Sequence, residues 1–243
     1  MLLSDLLIVA GALAGGFVSG LTGFGTGITA LAFWLYAVPP VLAAPLVVVC
    51  SIIAQIQTLP AIWHAVAWRR VLPFVAGGLL GVPLGAALLP LVPLALFKAA
   101  IGALLLVYCS VMLFVPVAAE TRRGGGFVDG LIGFGGGTLG GLAGLSGPLP
   151  TIWCRFRGWN KDEQRGVFQI FNLAILSFAA LNLSVGGLMT LELGRLVLLA
   201  LPGTLLGAWL GRRCYARLAT ESFNRAVLVV LMLSGLTLIA TAL

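Results

Sequence analysis

Charge is what this sequence has least of. Only 9% of its 243 residues are Asp, Glu, Lys or Arg, against about 25% in soluble domains. From Leu6 to Trp68 there is none, and from Val71 to Ala119 there is only Lys98. With 60% hydrophobic residues and a mean hydropathy of +1.14, this scarcity excludes a water-soluble globule. Histidine is nearly absent too: His64 stands alone. The four cysteines (Cys50, Cys109, Cys154, Cys214) are far apart and form no CxxC. Neither a metal site nor a disulfide framework is expected from that spacing, and they read as small apolar packing residues. No GxxxxGK[ST] occurs, so the chain carries no ATP-driven motor. The start, "MLLSDLLIVAGALAGG", has Asp5 in place of a basic n-region, which argues for a retained first segment. No cofactor is implied.

What is present is long apolar sequence. Runs of 18 or more apolar residues read as membrane spans, so the expected fold is an all-α polytopic membrane protein of about eight transmembrane helices. The spans are expected at 4–38, 41–63, 71–92, 97–118, 127–153, 166–188, 195–211 and 225–242. The first and fifth are too long. A helix of 35 residues would measure about 52 Å at 1.5 Å per residue, against a hydrocarbon core of ~30 Å. Each must break or re-enter, and glycine clusters mark the places: "GLTGFGTG" (20–27) and "GLAGLSGP" (141–148).

The glycines also report a repeat. "GFVSGLTG" (16–23) aligns with "GTLGGLAG" (137–144), and "GVPLGAAL" (81–88) with "GTLLGAWL" (203–210). Two matches at nearly one offset argue for duplication. The expected halves are four-helix units, 1–120 and 121–243, forming one transport domain. Four full crossings per half would make the halves parallel; a re-entrant turn at each break would invert them. The net charge of +7 sits in loops, as topology signals and headgroup contacts do. Membrane lipids are therefore expected partners, and nucleic acid is not. Eight simple crossings put Lys98, Arg155, Arg157, Lys161, Arg165, Arg212, Arg213, Arg217 and Arg225 on the cytoplasmic face. Arg69, Arg70, Arg122, Arg123, Arg195 and both termini then fall outside.

A helix broken inside lipid exposes N–H and C=O groups that must be satisfied by protein or a cavity. Paired breaks in corresponding spans are the best sequence pointer to a carrier site, and half-helix N-termini favour an anion there. The expected substrate-binding residues are Thr22, Gly23, Gly25, Thr26 and Gly27 at the first break, and Gly144, Ser146 and Gly147 at the second. Pro148 suits the first position of a restarting helix. Gln169 and Asn172, three apart on one helix face, could face the same cavity or bond between helices. Ser51, Gln55, Gln57, Ser177 and Asn182 are the other polar residues within spans. Glycines before the breaks, such as Gly11, Gly15, Gly136 and Gly140, read as close helix packing. Asp5 and Asp129 read as N-terminal caps. No catalytic residue and no metal ligand is expected.

The stretches "GFVSGLTGFGTG" and "GFGGGTLGGLAGLSGPLPTIW", the latter followed by "RGWNKDEQRGVFQIFNL", resemble the TauE/SafE sulfite exporter family, also called the 4-toluene sulfonate uptake permeases. The resemblance spans nearly the whole chain and implies a non-enzymatic secondary transporter of the bacterial inner membrane. Its substrate would be a small anion such as sulfite or an organosulfonate. An intramembrane serine hydrolase using Ser146 is the rival reading, from "GLSG", but a serine nucleophile needs a base. The lone His64 precedes it, in "IWHAVAWRR". A small anion channel is the other rival, and self-association as a homodimer stays open.

Overall fold

The computed structural model describes residues 2–61, 63, 66–114, 125–157, 159, 161–217 and 221–242. His64, Arg122, Arg123 and the boundary between 120 and 121 lie outside the described residues. The described chain is all helical: α1 (Leu2–Thr22), α2 (Thr26–Trp34), α3 (Pro40–Thr58), α4 (Trp68–Leu88), α5 (Leu94–Phe114), α6 (Gly126–Ala143), α7 (Pro148–Arg157), α8 (Lys161–Val185), α9 (Leu191–Arg217) and α10 (Glu221–Ala240). Stretches of six of these (α1, α3, α4, α5, α8 and α9) are long and apolar enough to cross a membrane. The glycine-rich α6, 18 residues long, is not one of the six. This is a multi-pass membrane protein, and leucines such as Leu6, Leu80 and Leu198 face outward from it.

The two overlong spans are each two helices. After Thr22 the chain turns and α2 runs back along α1, with Gly15 against Thr26 and Gly11 against Trp34. The Trp34 indole N–H donates to the Ile8 carbonyl at 3.0 Å and ties the base of this hairpin. Likewise α7 returns along α6, with Gly136 and Gly140 against Ser146. Here the pin is Trp153 Nε1, which donates to Asp129 Oδ1 at 2.7 Å, with Arg157 3.9 Å from the same carboxylate. Asp129 therefore does not cap α6, whose N-cap is Gly125. It is buried and fixes the hairpin. A hydrogen bond to a charged group is worth about 1.5–3 kcal/mol, so Trp153→Phe is expected to lower the melting temperature by several degrees. Trp34→Phe, which loses a bond to a neutral carbonyl, should lower it less. Thermal scans of purified protein compare the two.

Small residues set the long helix pairs. Gly16 lies against Thr204 and Gly20 against Ala208, so α1 and α9 run side by side in one direction. Gly133 meets Phe74, Gly137 meets Gly78 and Gly141 meets Val82, so α4 and α6 also run in one direction. Removing side chains lets backbones approach closely, which is how helices associate in lipid. The four repeated segments thus pair crosswise: 16–23 against 203–210, and 137–144 against 81–88.

Because each hairpin brings the chain back to the end where it began, the charge distribution differs from the sequence count. Arg70 pairs with Glu163 at 2.6 Å, Arg165 lies beside Gly20 and Gly23, and Gly211 beside Leu21. These contacts gather the starts of α4, α6 and α8 and the ends of α1, α3, α7 and α9 at one end. Arg69, Arg70, Arg155, Arg157, Lys161, Arg165, Arg212, Arg213, Arg217 and Arg225 occupy positions at that end. Lys98, over the Tyr36 ring at 4.9 Å, and Arg195 occupy the other. Arg69 and Arg70 therefore share a face with the α7–α8 arginines, which the eight-crossing count had placed opposite them. The N-terminus lies at the end opposite the basic one. Since α10 runs against α5, with Gly102 on Gly235 and Ile239, its C-terminal end lies with the N-terminus, away from the basic end.

Candidate functional site

The first break is a turn that only glycine takes without strain: Gly23 and Gly25 have φ of 87° and 102°. Gly25 is the N-cap of α2. The first backbone bond of α2 is Thr29 N–H to Gly25 C=O, 3.1 Å. The N–H groups of Thr26, Gly27 and Ile28 precede it and have no acceptor within the helix. At the second break Gly144 (φ 69°) ends α6. The Gly144 and Leu145 N–H groups donate back to Gly140 and Leu139, closing a Schellman motif. Next, α7 restarts on Pro148, and Thr151 N–H reaches Gly147 C=O at 3.0 Å. Because residues 148 and 150 are prolines, the first turn of α7 offers only the Leu149 N–H. The two breaks are unequal: the first is rich in backbone donors and the second is poor.

They meet. A Cβ on Gly147 would fall 2.7 Å from the Phe24 ring, and one on Gly27 would strike Leu145 and Val47. Between the breaks lies a cavity of about 20 Å³, lined by residues 24–28, by Ser51 and Gln55 of α3, by residues 144–148, and by Asn172 and Leu176 of α8. The N-termini of α2 and α7 converge on it from opposite sides. The α2 end carries roughly half a positive charge, and the α7 end, short of two N–H groups, carries less.

Of the residues singled out from the sequence, Gly25, Thr26, Gly27, Gly144, Ser146, Gly147 and Asn172 line this cavity. Thr22, Gly23 and Gln169 do not. The Thr22 hydroxyl lies between the carbonyls of Val18 (3.0 Å) and Phe24 (2.6 Å) and shapes the turn. Gly23 packs against the Arg165 side chain, and Gln169 Nε2 donates to Thr58 Oγ1 at 2.5 Å, joining α8 to α3. Sequence reasoning passed over Ser51 and Gln55 as site residues. Their signal was an i, i+4 polar pair in a span otherwise empty of charge. It also took Arg165 for a loop charge. Arg165 is in fact buried, with Nη2 3.5 Å from the Gly20 carbonyl at the end of α1.

The polar balance of the cavity is specific. Ser146 Oγ donates to Asn172 Oδ1 at 2.6 Å, which turns the amide so that Nδ2 remains for another acceptor. Thr26 Oγ1 and Gln55 Oε1 are buried without a hydrogen-bond partner, a condition costing about 1–3 kcal/mol per group unless something binds there. Among the described residues no Asp, Glu, Lys, Arg or His lines the space. The described partner of Ser146 is an amide, which takes no proton, whereas a serine nucleophile needs a base.

A family model described as "Sulfite exporter TauE/SafE" matches residues 7–238, nearly the whole chain. No curated protein and no solved structure matches it.

Proposed function

The chain belongs to the sulfite exporter TauE/SafE family, and on that premise we propose that it is a secondary carrier that exports small sulfur-containing anions across the bacterial inner membrane. Sulfite and organosulfonates are the substrate class. The observation that carries the reading is the cavity: two half-helix N-termini, the donor-rich turn of α2 and the Asn172 amide face one space that no carboxylate among the described residues lines. Dipoles bind an anion there without a membrane-buried Lys or Arg, whose burial at mid-bilayer costs at least ~2.5–3.5 kcal/mol.

The halves 1–120 and 121–243 act, in this reading, as inverted repeats, each with its first helix broken at the glycine motif. Hairpin α1–α2 is based at one end of the bundle and hairpin α6–α7 at the other, which is the support for inversion. A 20 Å³ space takes about one water, which needs roughly 10–15 Å³. Loading a sulfite-sized anion therefore requires the hairpins to part. Parting toward the basic end and then toward the other gives alternating access, and the arginines at the cytoplasmic rim raise the local anion concentration.

Saturable sulfite counterflow in proteoliposomes tests the reading. Asn172→Leu removes a donor to a charged ligand, worth about 1.5–3 kcal/mol, so apparent affinity should fall at least about tenfold. Ser146→Ala leaves that donor but frees its orientation, and should fall less. Flux that does not saturate, or that ignores Asn172→Leu in a folded protein, would instead point to a channel or to another site.

A further inference from the structure

We infer that the site between the two breaks selects a monoprotonated oxyanion, hydrogensulfite, over the sulfite dianion and over anions that carry no proton to donate. This rests on the carrier reading above and narrows its substrate class to sulfite, with organosulfonates left as weak ligands. Two separate observations lead there. The first is charge. The α2 N-terminus brings roughly +0.5, and the α7 N-terminus, which lacks two N–H groups at Pro148 and Pro150, brings less; among the described residues no cationic side chain lines the cavity. A monoanion is largely offset; a dianion would leave more than one unit of negative charge buried and unpaired.

The second is hydrogen bonding. The Thr26 hydroxyl and the free N–H groups of α2 call for acceptors on the ligand. Gln55, a 2% exposed residue, lines the same cavity, and its Oε1 is buried with no hydrogen-bond partner among the described residues; it is an acceptor and calls for a donor. Sulfite dianion, sulfate and methanesulfonate offer only acceptors. Hydrogensulfite offers three oxygens and one O–H. Bound with its oxygens on Thr26 and the start of α2 and its O–H on Gln55 Oε1, it satisfies both walls.

The ionisable groups nearest the site stand outside it. Arg165 lies two turns up α8 at Gly23, Tyr108 of α5 packs edge-on behind Phe24 at 5.9 Å, Cys50 is the neighbour of Ser51 on α3, and Asp129 with Arg157 closes the far end of α7. The titration that matters is the ligand's own. Export of the protonated anion also carries a proton with it, so transport needs no carboxylate relay in the spans.

The test uses the intact protein in detergent or proteoliposomes. Binding of sulfite is measured from pH 5.5 to 8.5, through its second ionisation near neutrality, beside methanesulfonate and sulfate. Above that ionisation, affinity counted against total sulfite should fall about tenfold per pH unit. Methanesulfonate, which stays a monoanion throughout and reports any titration of the protein, should bind weakly with a flat profile, and sulfate weakest of all. Gln55→Leu should erase the preference of sulfite over methanesulfonate at pH 5.5. Sulfite affinity that is flat or rises with pH, or sulfate competing as well as sulfite, overturns the inference and leaves the carrier reading standing. The wild-type titration decides this even if Gln55→Leu fails to fold. Absence of binding by all three anions at every pH sinks the carrier reading itself.

Discussion

Replacing Thr26 with Asp is expected to abolish anion transport while the protein still inserts and folds. The new carboxylate would stand at the first position of α2, where a negative charge favours the helix, so the hairpin should hold. It would also face the bound anion across a cavity only about 20 Å³ in size. Two unit charges ~4 Å apart at an effective dielectric of ~20 repel by about 4 kcal/mol, roughly a thousandfold in affinity. Thr26→Val makes a sharper companion. It deletes a buried hydroxyl that has no partner in the protein, so melting temperature should hold or rise as sulfite affinity drops about tenfold. A residue that served packing alone would not separate the two readouts. Transport by a folded Thr26→Asp protein at the wild-type rate would remove the first break from the site.

The second large effect concerns the helix pairs. In Gly137→Ala the new Cβ would fall onto the Gly78 carbonyl, so α4 and α6 must separate. Overpacking of this kind costs about 1–3 kcal/mol, and more where backbone is the obstacle. We expect loss of most folded protein on size-exclusion chromatography. In Gly194→Ala, within α9, the same atom meets nothing within 4 Å, and alanine gains up to about 1 kcal/mol of helix propensity. That variant should melt at the same temperature or slightly higher. Equal behaviour of the two would mean that the glycine stripe is not what sets the helix separation.

Much of the site was legible because lipid removes alternatives. A 35-residue apolar run cannot be one helix in a ~30 Å core, and glycines 23, 25 and 144 were the places where it could stop. The breaks stand there, with positive φ at all three. The direction of the return was not legible, because composition does not say whether a broken helix goes on or doubles back. Only the contacts of Trp34 with Ile8 and of Trp153 with Asp129 fix that. The same ambiguity misassigned Arg69 and Arg70 to the face opposite the α7–α8 arginines. Gln169 and Asn172 show a finer limit. Three residues apart on one helix, they read as equivalent, yet a difference of about 60° around α8, from 3.6 residues per turn, turns Gln169 to Thr58 and Asn172 to the cavity.

The crosswise pairing of the glycine segments constrains how such a chain can be made. α1 is made well before its lengthwise partner α9, which begins only at Leu191. Until then its glycine face has no permanent neighbour in the bilayer. Synthesis at about 5–20 residues per second makes that wait roughly ten to forty seconds. The first half cannot finish folding before the second arrives, because α4 waits for α6 just as α1 waits for α9. Nascent chains of this protein are thus exposed to wrong helix partners and to membrane proteases for most of their synthesis.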